Sequence, residues 1–520
     1  MSTPPLVTEQ LIDSLKKYIQ LSGPKDKSIK VEAPFDGSKI CDIPSGTKED
    51  VEVITRKAAL AQKKWRRLPA KERAQIFLRF HDLIFKNQNE ILDLTQYETG
   101  KARKSAFEEV ADVAVVSRYY SIRAEKWLRP IRRKGALPIL TLTWEQYHPV
   151  GVVGIIAPWN YPLTLAITDA IPALLAGNAV VLKPASNTPL TALWIARLLD
   201  EAGLPENLFN VIPGPGREVG NAIIDFSDYV LFTGSTETGK SVAGKAGAKL
   251  TGHSMELGGK NPMLVLPDAN ISKTVDGAVR GCFANSGQLC ISIERLYVHE
   301  TIFNKFISAF AKRTRAMKLG TDYNYSTDMG SLISKEQLDT VESHVADAIS
   351  KDATVLTGGK PRPELGPYFY EPTILTGVTD EMTIFDEETF GPVVSVYPFK
   401  NLAEVIDRMN DTSYGLNASV WTKNVSHGLD IARQIKAGTV NINEAYAATW
   451  GSVDSPMGGF KESGMGRRHG RQGFYKFTEP QTVSVQRVIP ICAPPGVTER
   501  MWANFLTFAL KLLKKVPGLR

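Results

Sequence analysis

Cysteine is scarce in this chain: four residues in 520, Cys41, Cys282, Cys290 and Cys492, too scattered to frame a disulfide scaffold. No CxxC or HExxH spacing occurs and the seven histidines are dispersed, so no metal site is expected. Long uninterrupted apolar runs are missing as well. Residues 150–177 come nearest, with Asp169 as their only charge, but Pro158, Pro162, Pro172 and Asn160 interrupt them. They read as a buried strand, a turn and a helix, not as a membrane span. The polar N-terminus has no apolar core ahead of a cleavage site, so no signal peptide is expected. A cytoplasmic, reducing compartment is the expectation, and it would keep the thiols free. Long basic runs and RNA-binding motifs are absent, and the 62 Lys+Arg against 55 Asp+Glu leave only +7. That excess suits an anionic cofactor and gives no sign of nucleic acid. Internal repeats and low-complexity tracts are absent too.

What is present is the composition of a soluble globular protein, 43% hydrophobic and 22% charged, at a length that implies two or three domains. Residues 1–50 are polar and broken by Pro and Gly, and read as an arm. Residues 48–101 are helical in pattern, with Pro69 at a start and Gly100 at a stop, and 108–127 continue as helix. After the basic cluster Arg129, Arg132, Arg133 and Lys134, residues 139–150 alternate as a strand that is either a surface hairpin or a pairing edge. Short apolar strands then alternate with helices from 152 to about 248, indicating a parallel sheet covered on both faces. The dinucleotide fingerprint fails in its one near match, because Gly214, Gly216 and Gly220 span one residue too many. A second α/β unit runs from Lys260 to about Phe477 and includes the glycine-rich loop from Gly458 to Gly464.

Two reactive groups stand out between His253 and Glu294: the carboxylate of Glu256 and the thiol of Cys290, thirty-four positions apart. An ionised thiol is a strong nucleophile, and a carboxylate can take a proton from it or from water, so the pair suggests catalysis through a thioester. Alone, Cys290 also fits a small buried hydrophobe, and Glu256 a helix cap or an ion-pair partner. The runs Met255-Glu256-Leu257-Gly258-Gly259-Lys260-Asn261-Pro262 and Gly287-Gln288-Leu289-Cys290 resemble the two signatures of the NAD(P)-dependent aldehyde dehydrogenase superfamily. Pro158-Trp159-Asn160, Lys183-Pro184, Phe232-Thr233-Gly234-Ser235 and Glu388-Thr389-Phe390-Gly391-Pro392 match further motifs of that family, in its order, across residues 30–490.

The resemblance implies an aldehyde dehydrogenase-like α/β fold: a Rossmann-type parallel-sheet cofactor domain (1–127 with the arm, and 150–259), a catalytic α/β domain (260–478), and a small oligomerisation β-arm (128–149 with 479–492). Residues 493–520 form a C-terminal extension. It implies Cys290 as nucleophile, Asn160 as oxyanion donor and Glu256 as the base that activates water. Lys183 and Glu388 would meet the two ribose units and Ser235 the pyrophosphate, with further cofactor contacts at Trp159, Gly234, Leu257 and Phe390. Ser186 stands three residues beyond Lys183, where NAD-preferring members often carry Glu; a hydroxyl there tolerates a phosphate, so NADP is the expected cofactor, with NAD possible. The pattern is similar to succinate-semialdehyde dehydrogenases of actinobacterial type. However, two positions that carry carboxylate-binding Arg in well-studied enzymes hold Ala284 and Thr168, leaving Arg280 or Arg295 as substitutes. A less polar aliphatic or aromatic aldehyde is the alternative substrate. A homodimer or homotetramer is expected.

Two other readings stay open. Gly234 to Ser241 fits the phosphate loop G-x-x-x-x-G-K-[ST], with Met263 to Asp268 as an acidic magnesium strand, which would make the chain an ATP- or GTP-binding protein. A non-catalytic oligomeric binding protein is the other. Near the C-terminus, residues 499–515 form an amphipathic helix with Trp502, Phe505, Leu506, Ala509, Leu512 and Leu513 on one face and Lys511, Lys514 and Lys515 near its end. It packs on the body or a subunit, or touches lipid.

Overall fold

Alternation of short, wholly buried strands with helices produces two sheets in the computed structural model, which describes all residues except 1–3, 5, 25, 137–140, 488–490 and 516–520. The first sheet has six strands. Val152–Ile156 lies inside it, flanked on one side by Ala179–Lys183 and then Phe209–Val211, and on the other by Tyr229–Thr233 and then Gly252–Glu256. All these pairings are parallel. The direction of winding reverses between Val152–Ile156 and Tyr229–Thr233, and a crevice opens at the carboxyl ends of strands where such a reversal occurs. The second sheet has seven strands, with Asn261–Val265 between Ile293–His299 and Asn417–Trp421. Gly464–Met465 returns from the second unit to pair antiparallel with Met255 and Glu256 at the edge of the first sheet.

The fingerprint misfit has a positional reason. Gly214 to Gly220 follows Phe209–Val211, an edge strand and not the strand at the reversal, and folds as a π-turn over Gly216–Gly220 that brings Gly220 against Lys183 and Ile156. Residues 150–177 form the strand, a turn, and two short helices, Pro162–Ile167 and Ala170–Leu175, where one was expected; Asp169, with a side chain that caps neither, sits at the break. Among the described residues no helix is long and apolar enough to cross a membrane.

The N-terminal segment is not the bare arm expected. Thr8 caps the helix Glu9–Lys16, whose Leu11, Ile12 and Leu15 are buried in the main core, and Ser28–Glu32 pairs with Lys39–Pro44 as a two-stranded sheet. The three apolar residues fall at helical spacing, a signal diluted by the surrounding polar and Pro/Gly positions. Strand Thr141–Pro149 pairs with Ile131–Lys134 on one side and Thr478–Gln486 on the other. The start of the expected strand, Ile139 and Leu140, and the end of its expected partner, Val488, lie outside the described residues.

Candidate active site

Six chain segments converge on a cavity of about 260 Å³ at the winding reversal, between the two sheets. Its walls are Pro158, Trp159 and Asn160 after the first strand, Thr233 to Ser235 after the strand beside it, Glu256 to Gly258 at the sheet edge, and Cys290, Gln337, Glu388 and Phe390 from the second unit. Cys290, Glu256 and Asn160 therefore meet, together with Trp159, Gly234, Ser235, Leu257, Glu388 and Phe390. Lys183 and Ser186 do not line it; they sit at and beyond the end of the next strand, on the same rim of the sheet. A larger open groove of about 560 Å³, lined by Leu60, Trp65, Leu68 and Leu208 among others, lies elsewhere and carries no nucleophile.

Cys290 follows a tight turn after the helix Ile271–Phe283. Asn285 and Ser286 take left-handed φ of 50° and 57° there, and Gly287 has 71°. Such strain in non-glycine residues persists only where neighbours hold it. Asn285 Nδ2 donates to the carbonyls of Asn160 (3.0 Å) and Gln288 (3.1 Å), which ties the turn to Asn160. Asn160 Nδ2 spends one hydrogen on the Gln288 carbonyl at 3.1 Å and keeps a second. Its own carbonyl accepts from Lys101 Nζ at 2.7 Å, and Lys101 is buried against Glu109 at 2.5 Å. Glu109 also accepts from the backbone N–H groups of Leu163 and Thr164, so the helix after Asn160 is anchored to the same ion pair.

The opposite wall is held in the same way. Lys260 Nζ donates to Glu294 at 2.5 Å, and Glu294 accepts from the N–H groups of Thr389 (3.0 Å) and Phe390 (3.1 Å). Gln337 Nε2 donates to the carbonyls of both residues. Phe390, at φ 51°, stands edge-on to Trp159 with ring centroids 5.6 Å apart. Glu388 accepts from Gly259 N at 2.8 Å, and a Cβ at Gly258 would lie 2.4 Å from its carboxylate, so only glycine leaves that approach open.

The electrostatics separate the groups. Burial, with the nearby charges of Glu388 and Glu256, pushes the Cys290 thiol up to about 12, while Arg468 pulls the other way. Burial raises Glu256 to about 7 against the opposing pull of Arg468 and Lys476. Burial and the neighbouring Glu294 raise Glu388 to about 8. The pair Cys290–Glu256 is thus a neutral thiol beside a carboxyl that changes state near neutral pH, a match for general-base work. Glu256 Oε1 is buried without a hydrogen-bond partner, as is Arg468 Nε.

Arg468 is a residue the sequence did not announce. It follows the strand Gly464–Met465 that pairs with Glu256, and its Nη2 lies 2.6 Å from Thr168 Oγ1 and 3.0 Å from Asp169, which also binds Lys476 at 2.8 Å. A signal was there: Asp169, the lone charge of an apolar run, needed a buried cation. The two arginines considered as substitutes are engaged elsewhere. Arg295 is buried and donates to the carbonyls of Lys260, Arg408 and Met409. Arg280 lies between Glu108 (3.0 Å) and Glu444 (3.7 Å), over the Tyr446 ring.

A dinucleotide fits this rim. Ser235 caps the helix Thr236–Ala248 and opens its N-terminus to the cavity, a favourable place for a pyrophosphate. Lys183 is buried with only the Pro184 carbonyl at 2.8 Å, and burial lowers it to about 8, the state of an ammonium short of partners. The phosphate-loop alternative fails on position. Lys240 points to Glu462 (2.9 Å), and Asp268, on the other sheet's side, is used up by Thr422 Oγ1 and the N–H groups of Lys423 and Asn424. No loop lysine and magnesium acid face each other.

The sequence model described as the aldehyde dehydrogenase family matches residues 21–483. A Mycolicibacterium smegmatis protein named "Putative succinate-semialdehyde dehydrogenase (NADP+)" is 51% identical over 492 residues, 95% of each chain. A Mycobacterium ulcerans protein of the same name, numbered 2, is 49% identical over 488 residues, 94% of each chain. Among solved structures, the NAD+ complex of an aldehyde dehydrogenase from Bacillus cereus aligns with a TM-score of 0.87 at 34% identity, covering 92% of this chain and 99% of that one.

Proposed function

Because the chain belongs to the aldehyde dehydrogenase family, we propose that it oxidises succinate semialdehyde to succinate with NADP and water, through a thioester on Cys290. The observation that carries the chemistry is the convergence of one thiol, one amide and one carboxylate on a single cavity. Glu256 takes the Cys290 proton, and the thiolate sulfur bonds to the aldehyde carbon. The developing oxyanion faces the second N–H of Asn160 and the Cys290 N–H, donors already fixed by the turn. NADP, when bound, supplies the hydride acceptor. Loss of hydride restores the carbonyl as a thioester. Glu256 releases the thiol's proton to solvent and, a carboxylate again, removes a proton from the attacking water; the tetrahedral adduct expels the sulfur, which takes that proton back from Glu256 as the acid leaves and the thiol is regenerated.

Lys183 and Glu388 are assigned to the two ribose units, and Ser235 with the helix start behind it to the pyrophosphate. Ser186, a hydroxyl where a carboxylate would repel a phosphate, supports NADP over NAD. For the substrate tail, support comes from Arg468. Arg468 reaches Thr168 Oγ1 and, with Lys476, pairs with Asp169, while Asp112 and Glu256 also face it. A cation thereby stands beside Thr168, which suits an anionic tail without an arginine on the helix itself. An uncharged aldehyde is the second reading, favoured by the neutralised Arg280 and the Tyr161, Tyr446 and Trp450 rings clustered around it. Val483 and Val485 of the three-stranded arm stand exposed in the single chain, which supports a homodimer or homotetramer.

A panel of succinate semialdehyde, butanal and benzaldehyde, each with NADP and with NAD, tests the assignment. The reading expects the highest kcat/KM for succinate semialdehyde with NADP; butanal ahead of it would overturn the substrate. Arg468→Gln should lower the kcat/KM ratio of succinate semialdehyde over butanal by about tenfold, the value of a charge-assisted contact. Cys290→Ala retaining turnover would overturn the chemistry itself.

A further inference from the structure

We propose that the C-terminal helix Glu499–Leu513 seats the enzyme on an anionic lipid bilayer, lying in the headgroup plane. The inference is independent of the substrate reading. Thr498 caps the helix by accepting from Met501 N, yet not one of the fifteen residues is buried against the rest of the chain. Trp502, Leu506, Ala509 and Leu513 are half-buried. Next to them, Met501, Phe505, Phe508 and Leu512 follow the same i, i+4, i+7, i+11 spacing and are 61%, 56%, 65% and 52% exposed. A stripe of one Met, two Phe and one Leu in water is costly unless something covers it.

Charge says what covers it. Arg500 and Lys511 lie along one flank of that stripe and Lys515 follows Leu512 by one turn, and residues 499–520 hold five basic side chains against the single Glu499. An aromatic-rich apolar face flanked by basic residues is the composition of helices that lie in a bilayer interface, where anionic headgroups meet the cations as acyl chains meet the rings. At 1.5 Å per residue the helix is only about 22 Å long, short of the roughly 30 Å of hydrocarbon a span must cross, so it lies on the surface.

Full-length enzyme is floated with vesicles of phosphatidylcholine containing about one third phosphatidylglycerol, and with pure phosphatidylcholine vesicles. Retention on the anionic vesicles should be at least about tenfold stronger and should weaken with salt. Phe505→Ser with Phe508→Ser, and separately Lys511→Glu with Lys515→Glu, should each cut retention by about tenfold while leaving turnover of soluble aldehyde and particle mass unchanged. Equal retention on both vesicles, or none, would overturn the proposal. So would a fall in particle mass for the Phe pair, which would make the stripe a contact between copies of this chain.

Discussion

Two buried carboxylates flank the same thiol, and they are built in opposite ways. Glu388 is fixed: its oxygen accepts from Gly259 N, and the loop that carries it is pinned by Glu294, Lys260 and Gln337. Burial and a second acid, Glu294, keep it high, at about 8. Glu256 is loose: Oε1 touches no donor, and burial, helped by Asp169, lifts it to about 7 against the pull of Arg468 and Lys476. A carboxylate held by backbone donors beside a glycine cradle suits binding hydroxyls. One that is free to turn, with cations behind it, suits carrying protons. Desolvation sets both pKa values, and the partner geometry sets the task.

The comparison breaks hardest at Glu256. Glu256→Gln should cut steady-state turnover by about 10²–10⁴, the usual worth of a general base, and should suppress the first burst of NADPH as well, because the same carboxylate takes the Cys290 proton before the thioester can form. A full burst with slow turnover would confine Glu256 to activating water, and turnover left intact would remove it as the base. Stability should respond most at the fixed side. Lys260→Met leaves Glu294 charged and unpaired in the core, and should cost about 3–5 kcal/mol, read as a fall in Tm. Glu388→Gln should be milder, raising the cofactor KM about tenfold with kcat less affected. If kcat collapsed instead, the division of labour between the two acids would be wrong.

How much of this was written in the sequence depends on distance along the chain. Strand–helix alternation and its breaks were legible because side chains repeat every two or about 3.6 residues, and the motifs of Asn160, Lys183, Ser235 and Glu256 because each sits at or just past the end of one such strand. Leu11, Ile12 and Leu15 were missed for want of a longer pattern. The supports of the site were illegible for a different reason. Lys101 grips the carbonyl of Asn160, fifty-nine residues away, and Arg468 reaches Thr168 three hundred residues away. No local rule couples such positions. Only the unexplained charge of Asp169 inside an apolar run hinted that a cation had to arrive from elsewhere.

Arg468 also offers the finest test of the contrast between the two acids. Around Glu256, Arg468, Lys476 and Arg467 favour the carboxylate, whereas burial and Asp169 oppose it. Removing the Arg468 charge therefore raises the Glu256 pKa, so the acid limb of the turnover profile, expected near pH 7 from the Glu256 carboxyl, should move upward by about one unit. At pH 7 less of Glu256 is then ionised and turnover falls; by pH 9 most of the loss should be recovered. Butanal is the substrate to use, because it has no tail to feel the arginine directly. Arg468→Lys keeps the cation and should bring the limb back, which separates a charge effect from damage to the fold. A limb that stays in place in Arg468→Gln while Tm drops would make the arginine a structural partner of Asp169 alone. Glu388→Gln should leave the same limb unmoved, since its carboxyl takes no proton in the rate-setting step.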